Sequence, residues 1–117
     1  MKQDNSEANT WWHKAAENGD AEAQYNLGVA YSKGGGVKQD YSEAIKLWHK
    51  SVEQEHSRAQ KGLAQCYELG IGGIGVDLFK AIELYTLSAN QGHDQAKKAL
   101  DRFKASAHGR YAKGPRA

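Results

Sequence analysis

The chain repeats itself. Residues 2–14 read KQDNSEANTWWHK and residues 38–50 read KQDYSEAIKLWHK, with nine of thirteen positions identical at an offset of 36. A second phrase lies between these copies. AEAQYNLGVAYSKG (21–34) returns as SRAQKGLAQCYELG (57–70) at the same offset, sharing Ala23/Ala59, Gln24/Gln60, Leu27/Leu63, Tyr31/Tyr67 and Gly34/Gly70. The first phrase comes back as DLFKAIELYTLSANQGH (77–93), now at an offset of 37. Asp40 then matches Asp77, Ala44 Ala81, Ile45 Ile82, Trp48 Tyr85 and His56 His93, and the extra residue falls within GIGGIG (70–75). DQAKKALDRF (94–103) echoes the second phrase through Ala96 and Leu100. A fixed period of this length restricts the chain to a repeat architecture, because one unit cannot bury its apolar face alone.

Both phrases have helical spacing. Ala23, Leu27, Ala30 and Tyr31 fall on one face, as do Ala44, Ile45, Trp48 and Val52. Asp4-x-x-Glu7 and Asp40-x-x-Glu43 have the form of capping boxes. Gly19 and Gly92 stand where a helix end favours a left-handed residue, whereas Glu55 holds that place in the middle unit, so a differently built turn is expected there. Helices are expected at about 5–18, 21–33, 41–54, 57–69, 78–91 and 94–106, alternating B-A-B-A-B-A. One repeat domain over 1–107 is expected, with units near 1–20, 21–56, 57–93 and 94–107. The basic tail 108–117 holds the only proline, Pro115, and is expected to be disordered.

Composition narrows the function. Sixteen basic and 14 acidic residues give a net charge of +2, too near neutral to argue for nucleic acid or a membrane surface. Mean hydropathy is −0.80. No apolar run approaches the roughly 18 residues of a membrane helix, and the opening residues lack an apolar signal core. Cys66 is the only cysteine, so no internal disulfide can form. A cytoplasmic location follows from the chain as written, or an exported one if a signal segment precedes it.

The string A-x-x-x-L-G-x-x-Y-x-x-G-x-G-V-x-x-D-x-x-x-A-x-x-x-W is present as Ala23, Leu27, Gly28, Tyr31, Gly34, Gly36, Val37, Asp40, Ala44 and Trp48. It resembles the Sel-one-like repeat family, a relative of the tetratricopeptide repeat, over about residues 1–105. KAAENGD (14–20) resembles that family's usual end of a B helix. The resemblance implies an all-α, right-handed solenoid of stacked antiparallel helix pairs with A helices on the concave side. Departures are Ala64 and Asp101 at the place of Gly28, and Lys104 at that of Tyr31 and Tyr67.

The resemblance also implies a non-enzymatic protein-interaction module that holds a partner peptide or helix in the concave groove. Carried over from tetratricopeptide repeats, the groove positions are Glu22, Tyr25, Val29 and Lys33, then Arg58, Lys61, Gln65 and Glu68, then Gln95, Lys98 and Arg102. Five basic residues against two acidic ones lean toward an acidic or carboxylate-bearing ligand. Met1 takes the place of Val37, so the chain opens on a B helix with no A helix ahead of it. Trp11 and Trp12 are therefore candidates for weak self-association or contact with a neighbouring repeat. A structural segment of a larger solenoid is one alternative. A cell-wall or β-lactam role, known among exported cysteine-rich members, would need disulfide-stapled helix pairs, and Cys66 is alone.

Catalytic and metal chemistry find little support in the sequence. GIGGIG is superficially like a phosphate loop, but it follows a helix and lacks the lysine, so a helix connection is expected. His13 and His49 are repeat equivalents, as are His56 and His93, and no acidic or thiol partner is fixed beside them. Cys66 aligns with Ala30 and Phe103 and is expected to be buried filler. No catalytic residue, metal site or cofactor is expected.

Overall fold

The computed structural model describes residues 5–113, and the side chains of residues 7 and 9–105. Among these lie six α-helices and no strand: α1 (Asn5–Glu17), α2 (Ala21–Lys33), α3 (Tyr41–Glu53), α4 (Ser57–Leu69), α5 (Leu78–Asn90) and α6 (Asp94–Lys113), with a 3-10 turn at Ile71–Gly73. Each helix packs against the next in sequence. The result is elongated, 61 × 27 × 26 Å, with a radius of gyration of 16.5 Å. A compact chain of this length would have a radius of about 13 Å. Stacking in one direction, each helix mainly against the next, is the solenoid that the repeat requires.

Small residues let the helices approach. Ala44, Ala59, Ala64, Ala81 and Ala96 have no accessible surface, and Leu63 and Tyr85 are buried among them. Leu27 is buried as expected, while Leu100 is only half-buried at the edge of the cluster. Polar side chains tie each B helix to the A helix of its own unit and to the turn that precedes it. Ser51 donates to the Ala21 carbonyl at 2.8 Å and Ser88 to that of Ser57 at 2.8 Å. Gln54 donates to the Gly19 carbonyl and to Gln24 Oε1, and Gln91 donates to Glu55 and Gln60 in the same way. Gln24 and Gln60 are buried, so these bonds satisfy groups that would otherwise lose their water.

The caps largely follow the sequence. Asp40 and Asp77 accept from the amides of Glu43 and Lys80. Their own amides donate to the Tyr31 and Tyr67 carbonyls at 2.9 Å, so α2 and α4 take the partner that a reciprocal capping-box glutamate would supply. Asp4 lies outside the described residues. The middle B-to-A turn corrects the expectation of a different build. Glu55 adopts φ 61°, beside 92° at Gly19 and 91° at Gly92, and the flanking backbone bonds repeat position for position. Glu55 accepts a left-handed conformation that costs an L-residue about 1 kcal/mol, and the stacked units on either side hold it there.

A second correspondence links neighbouring units. Asn9, Ile45 and Ile82 are repeat equivalents. The next unit's A-to-B loop covers the first two: Asn9 donates to the Gly35 carbonyl at 2.7 Å, and Gly72 lies so close over Ile45 that a Cβ there would sit 2.5 Å from Ile45 Cδ1. Ile82 is 37% exposed. GIGGIG is therefore an inter-helix loop that seals the preceding unit.

α6 runs on to Lys113, past the expected end near 106 and into the expected tail. Gly109 alone costs a helix only about 1 kcal/mol, and the sequence has no proline before Pro115. Residues 114–117 lie outside the described ones.

Candidate functional site: the outward face of the A helices

The outward face of α2, α4 and α6 carries the eleven expected groove residues, and they fall into three groups. Glu22, Tyr25 and Arg58 form the first. Glu22 accepts from His56 Nε2 at 2.7 Å and from Arg58. The Arg58 guanidinium lies 4.9 Å above the Tyr25 ring, and His56 stacks on that ring at 5.0 Å. His56 Nδ1 accepts the Ala59 amide as the N-cap of α4. A neutral ring in that role carries its proton on Nε2, where it donates to Glu22. These hydrogen bonds, first from His56 and then from Arg58, hold the Glu22 carboxyl below its ordinary value. Tyr25 is the aromatic among the expected groove positions. Its ring is covered by Arg58 and His56.

The second group is a cleft of about 340 Å³ lined by Lys61, Gln65, Tyr85, Gln95, Lys98, Ala99 and Arg102. Glu68 stands beside it with its side chain 14% exposed. It accepts from Arg102 Nη1 at 2.6 Å and Nη2 at 3.4 Å, and from the Tyr85 hydroxyl at 2.8 Å. The Arg102 bonds come first among the causes that hold Glu68 below its ordinary value. Burial pushes the Tyr85 hydroxyl upward, aided by its bond to Glu68. Lys61 is half-buried, and burial lowers its ammonium. Neither Lys61 nor Lys98 has an ion-pair partner among the described residues. His93, the equivalent of His56, keeps a buried Nδ1 with no hydrogen-bond partner among the described residues, and burial, then the positive Lys61, lowers its pKa.

Val29 and Lys33 belong to the third group, a cleft of about 190 Å³ shared with Asn9, Trp12, Asn26, Ala30 and Gly35. Trp11 is 70% exposed. Folding keeps the net balance of the five bases and two acids but settles which residues carry it. Both acids are spent on the arginines, in pairs that cross from one A helix to the next. Lys33, Lys61 and Lys98 remain without an ion pair among the described residues. The pairing has a sequence signal, since Glu22 and Arg58 stand one repeat apart in the same column. Elsewhere, Cys66 is buried and its thiol is pushed up to about 11, the environment of an inert filler.

Stacked antiparallel helix pairs with a side-chain-lined A-helix face define a helical-repeat solenoid. Within that class the family model of the Sel1 repeat matches residues 1–20, 21–56 and 57–93, and the chain belongs to the Sel1 repeat family. Members are generally protein-interaction modules. The fold is similar to a Sel1 repeat protein of Oxalobacter formigenes, with a TM-score of 0.81 and 34% identity, covering 88% of this chain and 42% of that one. It is also similar to c5321, a protective antigen of uropathogenic Escherichia coli displaying an SLR fold, with a TM-score of 0.80 and 34% identity, covering 97% of this chain and 23% of that one. The chain thus spans less than half the length of either protein. No curated protein matches it. Among the described residues no helix is long and apolar enough to cross a membrane.

Proposed function

We propose that this chain is a non-enzymatic scaffold that holds a peptide or helix of a partner protein along the concave A-helix face, with a preference for acidic segments. The observation that carries this reading is the charge left over after folding. Lys33, Lys61 and Lys98 lie on the three successive A helices without ion partners among the described residues, and both acidic groove residues are already occupied by arginine. A row of uncompensated ammonium groups attracts an anionic chain and suppresses a cationic one. The same lone, buried Cys66 suits a reducing, cytoplasmic setting. The test is selection of binders from a displayed random peptide library. Selected sequences should be enriched in Asp and Glu. Their binding should be lost in Lys61→Glu/Lys98→Glu and kept in the B-helix control Lys46→Glu/Lys50→Glu. Equal loss in both variants, or retention in the first, overturns the reading.

A second reading concerns the other end. Trp11 is exposed and Trp12 lines the smaller cleft, so this end suits weak self-association or contact with a neighbouring repeat. Sedimentation velocity over a wide concentration range should show reversible dimers that Trp11→Ala abolishes. A strictly monomeric profile eliminates self-association.

A further inference from the structure

We propose that the N-terminal end of α5 is a self-association surface that receives the projecting end of α6 from a second copy of this chain, in a two-fold pair. The inference is independent of the groove reading and concerns a different edge of the solenoid.

The surface is an apolar ledge. Phe79 is 88% exposed, and Leu69, Val76, Leu78 and Ile82 are 37–65% exposed around it. Leu78 and Phe79 stand one turn before Ile82 on α5, so the three share a face. Val76 lies against Gly70, where an added Cβ would be 3.1 Å from its Cγ2, and Leu69 is the adjacent residue. The repeat marks this as a local departure. Val76 stands in place of Gln39, Phe79 in place of Ser42 and Leu69 in place of Lys33, so the preceding unit builds the same edge with polar residues.

A projecting helix leaves from the same edge. α2 ends at Lys33 and α4 at Leu69, and their repeat equivalent, Ser106, lies inside α6. α6 continues to Lys113, about 10 Å further along its axis. The turn at residues 91–93 makes α5 and α6 antiparallel neighbours, so this extension leads away from Ile82 of its own chain. Helical turns beyond the packed body gain little stability in water by themselves. The ledge needs a cover and the extension needs a bed, and a two-fold pair supplies both at once.

Fit, charge and area point to the second copy as the occupant. In the preceding unit Gly72 lies over Ile45 with no room for a Cβ. Ile82 is the equivalent of Ile45, and Gly109 on α6 is the equivalent of Gly72. Ala105, Gly109 and Ala112 fall on one stripe of α6, which allows the same close approach to Ile82 from another molecule. Glu83, one turn beyond Phe79, has no ion-pair partner among the described residues. Asp77 is engaged as the α5 cap, and Lys80 lies over the Tyr67 ring. The uncommitted charge beside the ledge is therefore negative, and the extension brings Arg110 and Lys113 without an acid. An acidic peptide or an anionic lipid surface would meet Glu83 with like charge. At on the order of 150 Å² for a fully exposed large apolar side chain, the ledge presents roughly 450 Å². Two ledges and the two extensions laid on them bury more than the roughly 1,000 Å² of a weak biological interface.

The test is sedimentation velocity of the full chain from micromolar to millimolar concentration, in a Trp11→Ala background that removes any association through α1. A reversible dimer is expected there. Val76→Gln/Phe79→Ser, which restores the residues of the preceding unit, should weaken it about tenfold or more. Gly109→Pro, which breaks the extension outside the solenoid body, should do the same. Both variants are checked for an unchanged Tm. For the contact itself, a Cys66→Ala/Phe79→Cys chain is mixed with a Cys66→Ala/Ala112→Cys chain under mild oxidation. The mixed disulfide should predominate over either like pair. A strict monomer at millimolar concentration, or a dimer untouched by Val76→Gln/Phe79→Ser, overturns the proposal. A dimer that survives Gly109→Pro, or one in which like pairs predominate, overturns α6 as the occupant of the ledge.

Discussion

Gly28 and Gly62 flank the Trp48 ring, and alanine at the two positions should shift stability in opposite directions. Both lie inside helices, where glycine costs about 1 kcal/mol relative to alanine. At Gly62 an added Cβ would meet the Trp48 ring at 3.9 Å, an ordinary contact. Gly62→Ala should therefore gain about 1 kcal/mol and raise Tm by several degrees. At Gly28 the added Cβ would lie 2.4 Å from Trp48 Nε1 and 2.7 Å from Cδ1. The ring cannot yield freely, because it is buried and its N–H donates to the Tyr25 carbonyl at 3.2 Å. Overpacking costs about 1–3 kcal/mol. A displaced indole would add about 1–3 kcal/mol for a buried donor left without its acceptor. The gain in helix propensity offsets only part of this, so Gly28→Ala should lose about 2 kcal/mol, a fall in Tm of about 10 °C. The repeat itself suggests a rescue. Ala64 stands at the Gly28 position one unit later, and Tyr85 stands there in place of Trp48. Gly28→Ala/Trp48→Tyr should recover part of the loss. Thermal unfolding followed by circular dichroism reads all four proteins. A Gly28→Ala variant as stable as the parent would refute the packing argument.

Other outcomes follow from the same structure. Glu55→Gly should raise stability by up to about 0.5 kcal/mol in urea unfolding, since the left-handed cost of about 1 kcal/mol disappears while glycine's own entropy opposes about half or more of the gain. Asp40→Ala should cost about 1 kcal/mol through loss of the α3 cap, read by the same assay. Glu22 and Glu68 are held below their ordinary 4.5, so their contribution is complete above pH 4.5 and is lost as pH falls through the lowered folded values. The urea midpoint should drop in that window, and less steeply in Glu68→Gln than in the parent. His93, kept neutral by burial and by Lys61, adds a loss as pH falls through 6.5, where the unfolded chain takes up a proton that the folded one resists. His93→Asn should flatten that part of the profile.

Much of this fold is legible from spacing. The offsets of 36 and 37, the 3.6-residue periodicity and the Asp caps place six helices within a residue or two, except for the end of α6. What stayed hidden depends on distances between units. Glu68 and Arg102 are 34 residues apart, and no local rule pairs them. Counting charges could not show which residues carry the positive face, because folding pairs two arginines with both acids and leaves the lysines. The Gln54–Gln24 and Gln91–Gln60 ties lie within single units but join helices 30 and 31 residues apart, although identical glutamines at the repeat offset were a clue. Glu55 shows the limit of residue preference, since the stacked units impose the turn that glycine makes on either side of it.

The most direct test of the working face is a chemical-shift map of the chain bound to the strongest peptide from the library selection. If the concave A-helix face is the binding surface, the perturbed amides will cluster on α2, α4 and α6, centred near Lys61 and Lys98. Perturbations confined to α1, α3 and α5 would contradict it and move the binding surface to the opposite side of the solenoid.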